Sequence, residues 1–143
     1  MPKTNHLFAT AEAAEIAFYD AIARADLDTL MTLWADNDEI VCIHPGAPRL
    51  VGHAAIRASW EAIFERGGVH IQPVQRHAVS SSMSAVHNII EEIRRNDGAT
   101  PDRHVLATNI YLKTPKGWRI VAHHASVAPG VASADPAASS TLH

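Results

Sequence analysis

Cysteine is nearly absent from this chain, since Cys42 is the only one in 143 residues. A single cysteine forms no intramolecular disulfide and cannot build a cysteine-based zinc cluster. Its apolar neighbours in the segment 40–43 favour a buried, unreactive side chain over a reactive thiol. We therefore expect a reducing, cytoplasmic setting.

Long apolar runs and runs of positive charge are also missing. No stretch approaches the roughly 20 apolar residues of a membrane-spanning helix, and the N-terminus lacks a charged segment leading into an apolar one. The formal net charge is −3, and no cluster of lysine and arginine suggests a surface that follows phosphates. Neither a membrane nor nucleic acid is an expected partner.

The composition is that of an ordinary globular domain, with 47% hydrophobic and 19% charged residues. A chain of this length can bury one sizeable core. We expect a single domain over residues 1–128. The segment 129–143 is rich in alanine, serine and proline and is expected to be a mobile tail or a partner-dependent arm.

Apolar residues recur at helical spacing in three segments. The first is residues 7–25, the second is 27–34 with Asp26 as its N-cap, and the third is 54–66, which ends at two glycines. Short strands are expected at 39–44 and 49–51, with a turn at 45–48 between them.

Four longer segments with strand character follow: residues 70–80, 85–95, 103–113 and 118–127. Short turns between them predict an antiparallel meander, in which Pro73 marks an edge strand or a bulge. Helices first and a sheet afterwards is the α+β order, with the helices packed on one face of a curved sheet.

Five segments carry a resemblance to a known family. They are DLDTLMTLW at 26–34, VCIHPG at 41–46, VGHAAIRASW at 51–60, ATN at 107–109 and WRIVAHHAS at 118–126. In this order they resemble the SnoaL-like (nuclear transport factor 2-like) superfamily, and most closely its uncharacterised SnoaL-like branch, over residues 7–128. The resemblance implies a cone of three N-terminal helices packed on a strongly curved, mostly antiparallel mixed sheet, with a pocket between them and commonly a dimer through the outer sheet face.

The candidate site residues follow from placing polar side chains in such a cone. Regular alternation along 118–127 directs His124 and Ser126 to one face, with Trp118, Ile120 and Ala122. We expect His44 and His124 to be the acid/base pair, because imidazole titrates near neutral pH. Asn109, Tyr111, Trp34, Trp60 and Ser126 are the expected ligand-binding residues. Buried structural roles remain the alternative for each histidine, for Asn109 and for both tryptophans.

The opposite face of the same strand would carry His123, Val121, Ala125 and Val127. It is too apolar for a solvated sheet face, so we expect it to form a homodimer interface. Ile89 and Ile93 could extend either face, because the sequence does not fix their register.

Neither a metal nor another cofactor is expected. Adjacent histidines on a strand point to opposite faces, and no His-x-His or His-x-x-x-His spacing occurs. Glu91 and Glu92, with Arg94 and Arg95, are interpreted as the solvated end of a hairpin.

Three functions remain open at this point. The first is a pocket that binds a small organic molecule, with isomerase, cyclase or dehydratase chemistry. The second is a non-catalytic dimerisation or association module, and the third is an accessory subunit of an enzyme, as the resemblance to dioxygenase small subunits implies. One fold of this kind hosts many activities, so the choice among these three functions depends on the residues of the site.

Overall fold

The structure is a computed structural model that describes residues 7–94 and 103–128. Its elements are α1 (Ala11–Ala23), α2 (Leu27–Thr32), β1 (Val41–Ile43), β2 (Leu50–Val51), α3 (His53–Glu65), β3 (His70–Ser80), β4 (Ser84–Arg94), β5 (Arg103–Thr114) and β6 (Gly117–Val127). The predicted α+β class is confirmed, with the helices packed on a curved, six-stranded mixed sheet that forms a cone.

Side-chain caps set where the first two helices begin. Thr10 Oγ1 accepts from the backbone N–H of Ala13 at 3.0 Å, so α1 begins four residues later than the apolar periodicity predicts. Asp26 is the N-cap of α2, as predicted, and accepts from the N–H of Thr29 at 3.2 Å. Helix α3 starts after Gly52, and Asp38 from the loop between α2 and β1 accepts from the N–H of His53 at 2.9 Å.

The sheet has the strand order β2-β1-β6-β5-β4-β3. Strands β3 to β6 form the predicted antiparallel meander, and β1 pairs in parallel with β6. β3 is an edge strand, and its pairing with β4 is irregular between Val74 and His77. The expectation that Pro73 marks an edge or a bulge is therefore confirmed, since both occur in this strand.

A second irregularity changes the orientation of half of β6. Ile110 of β5 pairs with Ala122, while the next residue, Tyr111, pairs with Ile120. Val121 is therefore an extra residue in β6, a β-bulge that reverses which side chains face the helices beyond it. Ile120 before the bulge and His123 after it face the same side.

The face of the sheet that meets the helices, here called the inner face, carries most of the core. Its buried residues are Ala85, His87, Ile89, Glu91 and Ile93 on β4, Val105, Ala107, Asn109 and Tyr111 on β5, and Ile120, His123 and Ala125 on β6. Ile89 and Ile93 thus belong to the inner face, which the sequence left undecided. The core also buries Phe18 and Ile22 of α1 and Trp60 of α3.

Residues 129–143, predicted to be a tail, lie outside the described residues. Within the described part of the chain, no helix is long and apolar enough to span a membrane.

Candidate functional site

Two polar side chains of helix α1, Glu15 and Tyr19, point toward the inner face of the sheet. Glu15 and Tyr19 are one helical turn apart and therefore lie on the same side of the helix as Phe18 and Ile22. Both are buried, at 3% and 4% exposure. Their polar atoms meet a row of polar side chains that β4, β5 and β6 bring together.

Glu15 is the centre of the first half of this network. Its Oε2 accepts from Tyr111 Oη at 2.8 Å, is 2.9 Å from His87 Nδ1 and accepts from Asn109 Nδ2 at 3.4 Å. Its other oxygen accepts from Arg76 Nη1 at 3.3 Å. A buried carboxylate with this many donors is well satisfied, so Glu15 fastens α1 to the sheet.

The second half is a chain of three hydrogen bonds from β6 to β4. Nδ1 of His123 is 2.6 Å from Oδ1 of Asn109, which lies opposite it on β5. Nδ2 of Asn109 donates to Tyr19 Oη at 3.0 Å, and Tyr19 Oη donates to Glu91 Oε2 at 2.6 Å. We call these four residues the relay chain.

Burial shifts the pKa of each titratable group in the relay chain. Burial raises the pKa of Glu91 to about 7, with the charge of Glu15 adding to the effect and the hydrogen bond from Tyr19 opposing it. Burial and the charge of Glu91 raise the pKa of Tyr19 well above its usual value. Burial lowers the pKa of His123 to about 3, assisted by His44 and His124. At neutral pH the chain therefore holds a neutral imidazole, a neutral phenol and a carboxyl group near its midpoint.

His44 lies where β1 leads into the 45–48 turn and contacts the edge of the Trp60 ring, with ring centres 4.8 Å apart. Its Nε2 is 2.9 Å from Ser59 Oγ, whose proton is donated to the Ile56 carbonyl. His44 Nε2 is therefore the donor in that bond. Burial lowers the pKa of His44. His123 also lies beside Trp60, at 6.2 Å between ring centres, so both imidazoles neighbour the same indole ring.

The predicted inward orientation of His124 and Ser126 is wrong. Both are exposed, and they pair with Thr108 and Leu106 on the outer face of the sheet. The bulge at Val121 is the physical reason, because regular alternation holds only on one side of it. His123 and not His124 faces the helices, at 3% exposure.

The other predicted site residues are inside the cone but differ in what they contact. Asn109 and Tyr111 are fully buried and belong to the network around Glu15. Trp60 packs beside both His44 and His123, and Trp34 packs against Phe18 in the core. The indole Nε1 atoms of Trp34 and Trp60 are buried and have no partner among the described residues.

Sequence reasoning missed Glu15, Tyr19, His87 and Glu91. The interpretation of Glu91 as part of a solvated hairpin end is wrong, because Glu91 is 2% exposed. His87 and Glu91 alternate with the same two-residue spacing as Ala85, Ile89 and Ile93 along β4, so all five face the same side of the sheet. This spacing is the sequence feature that could have predicted their burial. A polar residue whose position puts it on the apolar face of a strand is a candidate for a buried functional group.

The outer sheet face also differs from the predicted one. His123 and Ala125 are buried inside the subunit and cannot line a partner surface. The outer face instead presents Ala122, His124 and Ser126 beside partly exposed apolar side chains, namely Val86, Ile90, Leu106, Ile110 and Leu112.

Two concavities open away from the relay chain. One of about 410 Å³ is lined by residues of the 35–40 loop and of the β5–β6 turn, including Ile40, Leu112 and Arg119. A smaller one of about 190 Å³ lies between α1 and α2. Among the described residues, no group of three or more His, Cys, Asp or Glu side chains is arranged to hold a metal ion.

The inner face carries a second, smaller apolar cluster. Ile93, Val105, Ala107 and Ala125 form a small buried cluster apart from the main core, and Val69 and Ile71 pack on both clusters while remaining partly exposed. Val127, opposite Val105, is 52% exposed. This part of the inner face therefore offers apolar surface close to the level of Glu91, which also pairs with Val105.

The curved sheet, the helix layer and the polar interior define the class of cone-shaped α+β proteins. The sequence profile of the SnoaL-like domain matches residues 12–129, and the chain belongs to this family. No curated protein matches the sequence significantly.

Solved structures agree with this assignment. A proposed calcium/calmodulin-dependent protein kinase II association domain from Thiobacillus denitrificans is 38% identical, with a TM-score of 0.81 over 86% of this chain and 98% of its own. A proposed dehydratase of the nuclear transport factor 2-like family from Streptomyces avermitilis is 31% identical, with a TM-score of 0.73 over 82% of this chain and 92% of its own. A protein of unknown function from Pseudomonas putida shares the fold at 19% identity and a TM-score of 0.71, over 80% of this chain and 82% of its own.

Proposed function

We propose that this protein binds a small, mostly apolar organic molecule in the cone and transfers a proton to or from it, with Glu91 as the acid/base group. The observation that carries the proposal is the carboxyl group of Glu91, 2% exposed and hydrogen-bonded to Tyr19, with a pKa raised to about 7. A general acid/base works best when its pKa lies near the operating pH.

The Glu91 carboxylate takes a proton from a carbon next to a carbonyl, and the electron pair of that C–H bond moves toward the carbonyl oxygen. The proton then returns to a different carbon, which is an isomerisation, or it leaves with a departing hydroxyl as water, which is a dehydration. The similarity to the proposed dehydratase from Streptomyces avermitilis supports this reaction class.

The surrounding residues have supporting roles in the proposal. Tyr19 holds one oxygen of Glu91 and leaves the other for the substrate. Trp60, with His44 at its edge, forms an apolar wall, and Val69 and Ile71 form the entrance. Asn109 and Tyr111 position α1 above the sheet through Glu15 and Tyr19. His124 and Ser126 have no part in this site, because they face the other way.

The test is α-proton exchange of small ketones. The full chain is incubated with cyclohexanone or 2-tetralone in D₂O near pH 7, and loss of the α-proton signal is followed by NMR. We expect exchange above the buffer rate, abolished in Glu91→Gln and retained in Glu92→Gln, whose side chain pairs with Arg94 on the outer side. Equal exchange by wild type and Glu91→Gln would refute the proposal.

A second candidate function is association through the outer sheet face. It is favoured by the partly exposed Val86, Leu106 and Leu112, at 37–41% exposure, since apolar side chains on a free sheet face usually meet a second surface. The similarity to the proposed kinase association domain from Thiobacillus denitrificans supports it as well. A homodimer through this face is compatible with the proton-transfer proposal.

Sedimentation velocity tests the association. Leu106→Asp, which places a charge on the outer face, is expected to shift a dimer to monomer. Ile16→Asp, on α1 at 68% exposure, is the matched control and should leave the dimer intact. A wild-type protein that sediments as a monomer at all concentrations would rule out this interface.

A further inference from the structure

The amide of Asn109 has a fixed orientation. Its Nδ2 lies 3.0 Å from Tyr19 Oη and 3.4 Å from Glu15 Oε2. A flipped amide would turn its oxygen toward the Glu15 carboxylate, which only accepts hydrogen bonds. Oδ1 of Asn109 therefore faces β6 and accepts a hydrogen bond there.

The donor to that oxygen is His123, and this determines its tautomer. Since Oδ1 of Asn109 can only accept, Nδ1 of His123 carries the proton in their 2.6 Å bond. A neutral imidazole has one proton, so Nε2 of His123 presents a lone pair. No described residue donates to that nitrogen, and the ring packs beside both Phe18 and Trp60, at 5.4 and 6.2 Å between ring centres.

The charges around His123 limit which ligand groups could donate a hydrogen bond to its Nε2. Glu91 is partly ionised near neutral pH because its pKa is raised to about 7, while burial lowers the pKa of His123 to about 3 and keeps the imidazole neutral. An anionic ligand at His123 would be desolvated in the same interior as the Glu91 carboxyl group, without a cationic imidazole to offset the cost. A neutral donor meets no such penalty.

We infer that the cone selects uncharged molecules that carry a hydroxyl group, and that this hydroxyl donates to Nε2 of His123. The inference rests on the proposed function, because it names the substrate class of the same site. His123 is then a binding residue, and Asn109 is a positioning residue that holds its tautomer. Together with Glu91, the substrate class is a neutral hydroxylated molecule with an acidic C–H bond, such as a hydroxyketone or a phenolic ring ketone.

The tautomer is tested on the wild-type protein labelled with ¹⁵N-histidine. Long-range ¹H–¹⁵N spectra report which ring nitrogen carries the proton, and comparison with His123→Gln assigns the signals. We expect the proton of His123 on Nδ1 and a shift of Nε2 upon addition of phenol. A proton on Nε2 overturns the inference.

The hydroxyl preference is tested with phenol and anisole, which share a ring but differ in the donor. Calorimetry or ligand-observed NMR should give phenol an affinity roughly tenfold higher, the value of one hydrogen bond to a buried acceptor. The preference should vanish in His123→Leu and persist in His124→Leu, a matched change on the opposite face. Equal affinities in the wild type, or a preference that survives His123→Leu, overturn the inference.

Benzoate tests the charge selection and should bind at least tenfold more weakly than phenol near pH 7.5; comparable binding overturns it. If His123→Leu does not fold, the wild-type phenol preference and the Nε2 shift remain as decisive measurements. Loss of the hydroxyl preference with Glu91-dependent ketone exchange intact contradicts only the hydroxyl assignment. Absence of exchange with the phenol preference intact contradicts only the proton-transfer function.

Discussion

Tyr19 and Glu91 are 72 positions apart in sequence, and the Tyr19 hydroxyl donates to the Glu91 carboxyl oxygen at 2.6 Å. This bond joins the first helix to a central strand of the sheet inside the cone. It stabilises the ionised form of Glu91, and without it burial would raise the pKa of that carboxyl further. The balance between burial, which raises the pKa of Glu91, and this hydrogen bond, which lowers it, leaves that pKa at about 7.

Replacing Tyr19 by phenylalanine should therefore raise the pKa of Glu91 above its present value of about 7. The midpoint of the pH profile of ketone exchange is expected to move to higher pH, because the Glu91 carboxylate would form only at higher pH. Tyr111→Phe is the matched control, since that hydroxyl donates to Glu15, and its profile should keep the wild-type midpoint. A Tyr19→Phe profile with an unchanged midpoint would contradict the role of this bond.

Stability should depend on the ionisation of Glu91. Its pKa in the folded state, about 7, lies above the ordinary value of 4.5, so the folded state retains a proton that the unfolded chain loses. This contribution is complete below pH 4.5 and is lost as the pH rises through 7, at a cost on the order of 3 kcal/mol. Glu91→Gln should gain stability relative to wild type across this window.

Urea unfolding at a series of pH values from 4 to 8 measures this change. Glu92→Gln serves as the control, because Glu92 lies on the partly exposed side of the same strand. A stability difference between Glu91→Gln and wild type that is constant with pH would show that the carboxyl titrates normally.

His123 should make the stability of the folded state change with pH in the opposite direction. Its pKa in the folded state is lowered to about 3 from 6.5, so the unfolded chain binds a proton that the folded state does not. The stability that this group contributes is present above pH 6.5 and is lost as the pH falls toward 3, at about 1.4 kcal/mol per pH unit. Between pH 4.5 and 6.5 it opposes the effect of Glu91.

His123→Gln removes this pH dependence of stability, so that only the pH dependence due to Glu91 remains. The variant is therefore expected to lose stability with rising pH between 4.5 and 6.5, where the two opposing effects leave the wild-type profile nearly flat. The same unfolding series measures it, with His124→Gln on the outer face as the comparison. Parallel wild-type and His123→Gln profiles would mean that the imidazole is not held neutral.

Glu15 should matter far more for stability than its neighbour Glu12 in the same helix. Glu15→Gln leaves Tyr111 and His87 competing for a weaker acceptor and Arg76 without its carboxylate. Disrupting a buried, charged hydrogen-bond network typically costs about 3–5 kcal/mol. Glu12→Gln, with a half-exposed side chain, should cost below about 0.5 kcal/mol, and similar losses for both variants would argue against the network.

Much of the fold follows from local sequence patterns. The apolar spacing and the cap at Asp26 predict helices near their observed positions, and turn residues separate the long strands. These features depend on interactions within a few residues, which a single sequence contains. The resemblance segments at 26–34 and 118–126 extend this to the arrangement of the cone.

The site was only partly predictable. His44, Asn109, Tyr111 and Trp60 were placed inside the cone by their strand or helix positions, and they are found there. Glu15 and Tyr19 were not recognised, because a carboxylate and a phenol on a helix are usually solvated. Only their partners on β4 and β5, more than 70 positions away, make them interior residues.

Two adjacent histidines in a strand must face opposite sides of the sheet, since side chains alternate along an extended backbone, and this much follows from local sequence. Which of the two enters the cone was decided by the tertiary structure. Pairing of β6 with β5, and of Ile120 with the loop after α2, leaves Val121 as an extra residue. One additional residue reverses the alternation beyond it, so His123 meets Asn109 inside and His124 lies outside.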